Sequence, residues 1–162
     1  MHPSAFAISM RPEPFGSEGP SEVVAKAEAE LVARYGGLDP SELGLTAAMF
    51  EPPAGTFLIA RTDGRAEPVG GVGLRTVAPG IGEVRRLWVD PACRGHGIGR
   101  ELMANLEAEA SNIGLSVLRL ATGDRQPEAV ELYRTSGWER VFVTPEGAPL
   151  APGWIRFHKV VG

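Results

Sequence analysis

One cysteine, Cys93, and two lysines, Lys26 and Lys159, are all that 162 residues contain of either type. A single cysteine forms no internal disulfide, and with no paired CxxC there is no support for a structural zinc site. Neither lysine follows a glycine, so a Walker A loop is absent. HExxH and GxSxG are missing too, which leaves metalloprotease and hydrolase-elbow chemistry without a basis; no metal is expected. No apolar run reaches membrane length, and no basic segment leads into an apolar stretch with a small-residue cleavage site. The expectation is a cytoplasmic protein with no membrane partner. The net charge of −4 speaks against general nucleic-acid binding, although eight of the fourteen arginines fall between Arg85 and Arg140. Cys93 lacks a matched general base and is read as structural.

What is present is ordinary in bulk and unusual in one place. A hydrophobic fraction of 43% and a charged fraction of 22% suit a globular protein, and the length suits a single domain over residues 1–162. The unusual place is Arg94-Gly95-His96-Gly97-Ile98-Gly99, with three glycines at alternate positions. Before it, Gly82 to Val89 alternates like a strand, ended by Asp90-Pro91. After it, Ile98, Leu102, Met103, Leu106, Ala110 and Ile113 recur at spacings of three and four, marking a helix that Gly114 stops. Glycine admits positive φ and close backbone approach. The first N–H groups of the helix have no internal partner and favour an anion. Arg94 and Arg100 add guanidinium donors beside them. A pyrophosphate suits such a loop, but the dinucleotide fingerprint does not: Arg100 stands where its third glycine belongs.

The rest of the chain alternates between short strands and helices. A first strand is expected over Ala5 to Ser9, then a helix capped by Ser21 with Val24, Ala27, Leu31 and Tyr35 on one face. A short helix is expected over Ser41 to Phe50. Three antiparallel strands follow, from Thr56 to Arg61, Glu67 to Val77 and onward from Gly82, with a bulge at Gly70, Gly71 and Gly73. The strand Leu115 to Ala121 completes a parallel βαβ crossover with the Gly82 strand. A helix from Gln126-Pro127 to Gly137 and strands at Arg140 to Thr144 and Trp154 to Val161 finish the chain. The fold class is α/β, or α+β with a mixed sheet and helices on its faces.

These elements resemble the GNAT superfamily of N-acetyltransferases. Its central motif, Arg/Gln-x-x-Gly-x-Gly/Ala between strand and helix, is matched by Arg94-x-x-Gly97-x-Gly99. A second motif, Asn-x-x-Ala-x-x-Leu-Tyr-x-x-x-Gly-Phe, is similar to Gln126-x-x-Ala129-x-x-Leu132-Tyr133-x-x-x-Gly137-Trp138. The departures are Gln126 for Asn and Trp138 for Phe. The core motifs span about 56–143, and the resemblance implies an acyl-CoA N-acyltransferase fold with a mostly antiparallel central sheet.

The resemblance also implies a chemistry. Acetyl-CoA lies between two diverging parallel strands, its pantetheine paired to the backbone of Leu87, Trp88 and Val89. Backbone amides of Gly95, His96, Gly97, Ile98, Gly99 and Arg100 hold the pyrophosphate, with His96 not catalytic. An amine attacks the thioester directly through a tetrahedral intermediate, and a backbone amide near Leu87 polarises the carbonyl. Glu83 matches a position where family members place the base, acting through water, or else it is a strand carboxylate pairing with Arg85 or Arg86. Tyr133 matches the general acid that protonates the departing thiolate, or else it is a core aromatic. Gln126 contacts the cofactor or caps its helix. Arg85 and Arg86 attract an acidic acceptor or form surface ion pairs. The acceptor is expected to be a small-molecule amine, with a peptide amine, a longer acyl donor or a non-catalytic acyl-CoA sensor as alternatives. Family members are often dimers, so a homodimer is an expectation.

Overall fold

A computed structural model describes residues 7–162. Seven strands form one sheet: β1 (Ile8–Pro12), β2 (Gly55–Thr62), β3 (Gly70–Ala78), β4 (Ile81–Val89), β5 (Val117–Gly123), β6 (Glu139–Val141) and β7 (Trp154–Val160). Three helices flank it: α1 (Glu18–Tyr35), α2 (Ile98–Asn112) and α3 (Pro127–Thr135). The strand order is β1-β2-β3-β4-β5-β7-β6. Every neighbouring pair is antiparallel except β4 with β5, which the α2 crossover makes parallel.

Both faces of the sheet are covered. One carries the larger core, where Leu58, Leu74, Val84, Leu118, Leu120 and Phe157 meet Ile98, Leu102, Met103 and Leu106 of α2. The other carries Phe57, Ile59 and Trp88 against Val23 and Ala27 of α1, with Phe50 closing the cluster. Strand β2 therefore buries both of its faces from Gly55 to Ala60, which explains its near-continuous apolar run.

Several sequence expectations need adjusting. The first strand lies at Ile8–Pro12, while Ala5 and Phe6 of the expected span fall outside the described residues. Helix α1 starts at Glu18 with Ser17 as N-cap, so Ser21 lies inside it, and Pro20 occupies the first turn, where a missing N–H costs no hydrogen bond. The expected helix over Ser41 to Phe50 is two separate 3-10 turns, Pro40–Glu42 and Ala47–Phe50, with extended backbone at Leu43 and Thr46. Ile113, expected on the buried face of α2, is its exposed C-cap.

The bulge falls where the glycines suggested one, and the extra residue is on the facing strand. Gly71 pairs with Trp88 and Gly73 with Arg85, so two steps along β3 oppose three along β4. Within that extra length Arg86 has φ of 57°, the one positive φ among the described non-glycine residues. The distortion matters for the next strand. Pairing between β4 and β5 covers Ile81 to Glu83 with Val117 to Arg119 and then stops. From Val84 onward the two parallel strands part.

Candidate active site

The parting of β4 and β5 opens a cleft of about 790 Å³, within the usual size of a small-molecule site. Leu87 and Trp88 of β4 and Leu120 to Gly123 of β5 wall it, and Gln126, which precedes α3, and Tyr133 of α3 also line it. Beyond Glu83 the edge of β4 has no strand partner on this side. Such an edge presents main-chain donors and acceptors to any extended amide-bearing ligand. Val89 stands apart from the other two β4 positions: it does not line the cleft, and its carbonyl accepts a hydrogen bond from Arg94 Nε at 2.9 Å.

Burial and ring packing fix Tyr133. It is 5% exposed, with ring centroids 5.9 Å from Trp138 and 5.6 Å from Phe157. The core reading of this residue holds, and the same residue also lines the cleft, where the general-acid reading requires it. Burial alone pushes the phenol above its ordinary value, and no hydrogen bond offsets that. A cleft-facing phenol that keeps its proton at neutral pH is a hydrogen-bond donor in waiting.

The glycine loop sits at the N-terminus of α2. Gly95 and Gly97 hold φ of 86° and 81°, and a Cβ at either would meet nothing within 4 Å, so the requirement there is conformational. Gly99 is closely packed instead: a Cβ there would approach the end of the Leu132 side chain of α3 to 3.3 Å, a contact that a small shift of that side chain would relieve. Gly97 is the N-cap, and Glu101 N–H bonds to its carbonyl at 3.0 Å. The N–H groups of Ile98, Gly99 and Arg100 thus lack an intrahelical acceptor and point along the helix dipole. The two arginine side chains are occupied elsewhere. Arg94 pairs with Glu30 of α1 at 2.7 Å. Arg100 bonds to the carbonyl of Thr135 at 3.2 Å and the hydroxyl of Ser136 at 2.8 Å, holding α2 to the end of α3.

Glu83 lies on β4 just before the strands part. Its partners are Arg75 (Nε at 3.1 Å) and Arg85 (Nη1 at 2.9 Å), and the alternative partner Arg86 is engaged elsewhere. Burial raises the Glu83 pKa, Arg85 and Arg75 together lower it further, and the net position is below the ordinary carboxylate range. It is ionised at neutral pH. Arg86 belongs to the interior: its side chain is 2% exposed and is gripped by Glu28 of α1 and Glu42 of the first 3-10 turn. The ion-pair reading of these two arginines holds, and for Arg86 the guanidinium is buried at the cleft wall while its two carboxylate partners are part-exposed.

Three contributors escaped the sequence. Tyr35 at the end of α1 donates to Gln126 Oε1 at 3.2 Å and accepts from Arg125 N–H at 3.1 Å. Gln126 is the N-cap residue of α3, as the capping reading has it, but it caps through its carbonyl, which accepts from Ala129 and Val130 N–H; its side-chain amide joins this clasp, and the residue also lines the cleft. Arg34 donates to the carbonyl of Arg125 at 2.9 Å and pairs with Glu128, and Arg125 returns a bond to the Arg34 carbonyl at 3.0 Å. The third is Thr122 of the cleft wall, whose hydroxyl is buried with no hydrogen-bond partner. Its signal was a polar residue in step with Leu118 and Leu120. Cys93 is buried away from the cleft, 3.6 Å from an Arg65 nitrogen. Among the described residues no cluster of acidic, His or Cys side chains has metal-binding geometry, and no helix is long and apolar enough to cross a membrane.

A mixed sheet split between parallel β4 and β5, with a glycine loop and helix dipole beside the split, defines an acyl-CoA N-acyltransferase fold. The sequence model of the acetyltransferase (GNAT) family matches residues 21–138, and the chain belongs to that family of enzymes. It is 37% identical over 119 residues to a protein named IAA acetyltransferase from Azospirillum brasilense, covering 72% of this chain and 77% of that one. It is 32% identical over 111 residues to a mycothiol acetyltransferase from Sanguibacter keddieii, spanning 64% of this chain but only 35% of that longer protein. A GNAT-family acetyltransferase structure from Staphylococcus aureus superposes with a TM-score of 0.77 at 16% identity, covering 96% of this chain and 100% of that one. Another, from Elizabethkingia anophelis with acetyl-CoA bound, gives 0.66 at 17% identity over 94% and 97% of the two chains. At those identities the superpositions speak for the fold.

Proposed function

We propose that the protein transfers an acetyl group from acetyl-CoA to a primary amine of a small molecule, by direct attack of the amine on the thioester. The observation that carries this reading is the Tyr133 phenol, facing the cleft with its proton retained and no protein hydrogen bond. The cradle fits the donor: Gly95 and Gly97 open the turn, and the free N–H groups of Ile98 to Arg100 favour a pyrophosphate. The acetyl-CoA seen in the Elizabethkingia relative supports the same donor here. The names of the two relatives, for IAA and mycothiol, favour a small-molecule acceptor.

Two proton transfers have to be managed. An alkylammonium with pKa near about 10 costs on the order of 4 kcal/mol to deprotonate at pH 7. Glu83 takes that proton through water and, held ionised by Arg75 and Arg85, passes it on to solvent water rather than keeping it. At the other end Tyr133 donates to the sulfur as its charge develops, since a thiolate's conjugate acid has pKa of roughly 8.5. The unpaired edge of β4 at Leu87 supplies a main-chain donor for the carbonyl oxygen.

The test is an amine screen with acetyl-CoA that follows free thiol, with intact-mass detection of acetylated product. Thiol release that depends on the amine supports transfer. Acetyl-CoA binding without turnover of any amine would point to a sensor, and faster turnover of longer acyl donors would reassign the donor.

A further inference from the structure

A second cavity, of about 430 Å³, opens beside the cleft and shares Glu42, Arg85 and Trp154 with it. Four arginines line this cavity: Arg75, Arg85, Arg119 and Arg156. Strand register explains how they come together. Glu83 pairs with Arg75 on one side and with Arg119 on the other, and Arg156 stands opposite Ala121, so alternation directs all of these to one face.

Their charges are not equally compensated. Arg75 and Arg85 are engaged by Glu83, and Arg85 also reaches Glu42 at 3.4 Å. Arg119 makes no hydrogen bond or ion pair among the described residues, and Arg156 bonds to the carbonyl of Val143. Neither has a carboxylate within ion-pairing distance among the described residues. Burial lowers the pKa of Arg156, and the neighbouring charge of Arg119 lowers it further, against weaker support from Glu146 and Glu83. Two half-buried guanidiniums on adjacent strands thus repel each other in a cavity that adjoins the cleft and is lined by Glu83. Guanidinium forks match a carboxylate in shape and charge.

We propose that Arg119 and Arg156 form a carboxylate subsite in the acceptor pocket, so that the amine acetylated is one that also carries a carboxylate, an amino-acid-like molecule. The inference rests on the acetyl-transfer reading above. One negative charge relieves the repulsion between the pair, whereas a dianion would be opposed by Glu83 and Glu146, which line the same cavity. Two strand spacings of about 5 Å each separate β4 from β7, which leaves room for a short carbon skeleton between the amine at Glu83 and the carboxylate. The positive charges near the cleft thereby divide in two: Arg85 and Arg86 are neutralised by the protein's own acids, and Arg119 and Arg156 are left for the acceptor.

The experiment compares kcat/KM for amino acids, their methyl esters and an aminoalkyl phosphate, in the wild type and in Arg119→Gln and Arg156→Gln. Calorimetry of the acids and esters with the CoA-loaded protein runs alongside. The free acids are expected to be favoured over their esters by roughly tenfold to a hundredfold, the range of a charge-assisted pair. Each substitution should bring that ratio toward one while acetyl-CoA affinity holds, which confirms the variants are folded. Equal use of acids and esters, or a preference that survives both substitutions, overturns the subsite; a preference for the phosphate overturns its assignment to carboxylate. If no amine is acetylated, the transfer reading fails separately, and the calorimetric comparison of acids with esters still decides the subsite.

Discussion

Tyr133 concentrates the chemistry in one oxygen. Replacing it by Phe keeps the ring that packs on Trp138 and Phe157 and removes only the donor. We expect kcat to fall about 100-fold, within the usual range for a general acid, while the Kd of acetyl-CoA measured by calorimetry stays within about twofold. Because burial holds the phenol above its ordinary value of 10.0, Tyr133 contributes no alkaline fall in the wild-type rate profile below that pH. Gly97 makes a different demand. With φ of 81° and open space around its Cα, Gly97→Asn should bind acetyl-CoA nearly as well as wild type, because Asn visits the left-handed region. Gly97→Val should bind at least tenfold more weakly, since a β-branched residue strains there. Equal affinities for the two variants would mean that the turn's conformation does not shape the site. The glycine loop and Tyr133 were legible in the sequence because each motif is local, its spacing set by one turn and one helix. Tyr35 with Gln126, and Glu28 with Arg86, were not: the members of each pair lie 91 and 58 residues apart, and no local pattern links them.

The same distinction between local and distant information holds for whole elements. Helix α2 and strands β2, β4 and β7 follow from periodicity within a few residues of their observed ends, whereas Leu38 to Ala54 lacks a sustained period and folds as two turns around Phe50 and the Arg86 ion pairs. The bulge in β4 is held from outside the strand, by Glu28 and Glu42 on Arg86. Arg86→Ala should destabilise the protein by roughly 3 kcal/mol, because it leaves two partly buried carboxylates without their partner. Urea unfolding measures this, and a loss under 1 kcal/mol would show that the bulge stands without the pair. The clasp between α1 and α3 is close-packed in a way that glycine alone permits: a Cβ on Gly123 would lie 2.0 Å from Tyr35 Oη. Gly123→Ala should displace the Tyr35 ring, cost about 1–3 kcal/mol, and speed amide exchange in Arg125 and Gln126. Unchanged exchange there would separate Tyr35 from the clasp.

For the molecule as a whole, arginine–carboxylate pairs set the response to acid. Asp90 is held below its ordinary value by Arg65, and Glu83 by Arg85 and Arg75 acting against its burial. A carboxyl whose folded pKa is depressed stabilises the fold above its unfolded pKa and loses that contribution as pH falls through the folded value. Stability should therefore be level at neutral pH and fall below about pH 4.5, the ordinary glutamate value. Glu83→Gln should be less stable at pH 7 and lose less on going to pH 3. Parallel stability–pH curves for the two proteins would remove Glu83 from that account.

The short pairing between β4 and β5 has a mechanical meaning. Three residue pairs, Ile81 to Glu83 with Val117 to Arg119, are the whole strand ladder between the plate made of β1 to β4 and the plate made of β5 to β7, with α2 and the Tyr35–Gln126 clasp bridging them outside the sheet. Within the sheet, a change in the angle between the plates would turn on those rungs, like the spine of a book. Glu83 and Arg119 sit on the last rung, so flexing there changes the spacing of the acceptor pocket and the width of the donor cleft together.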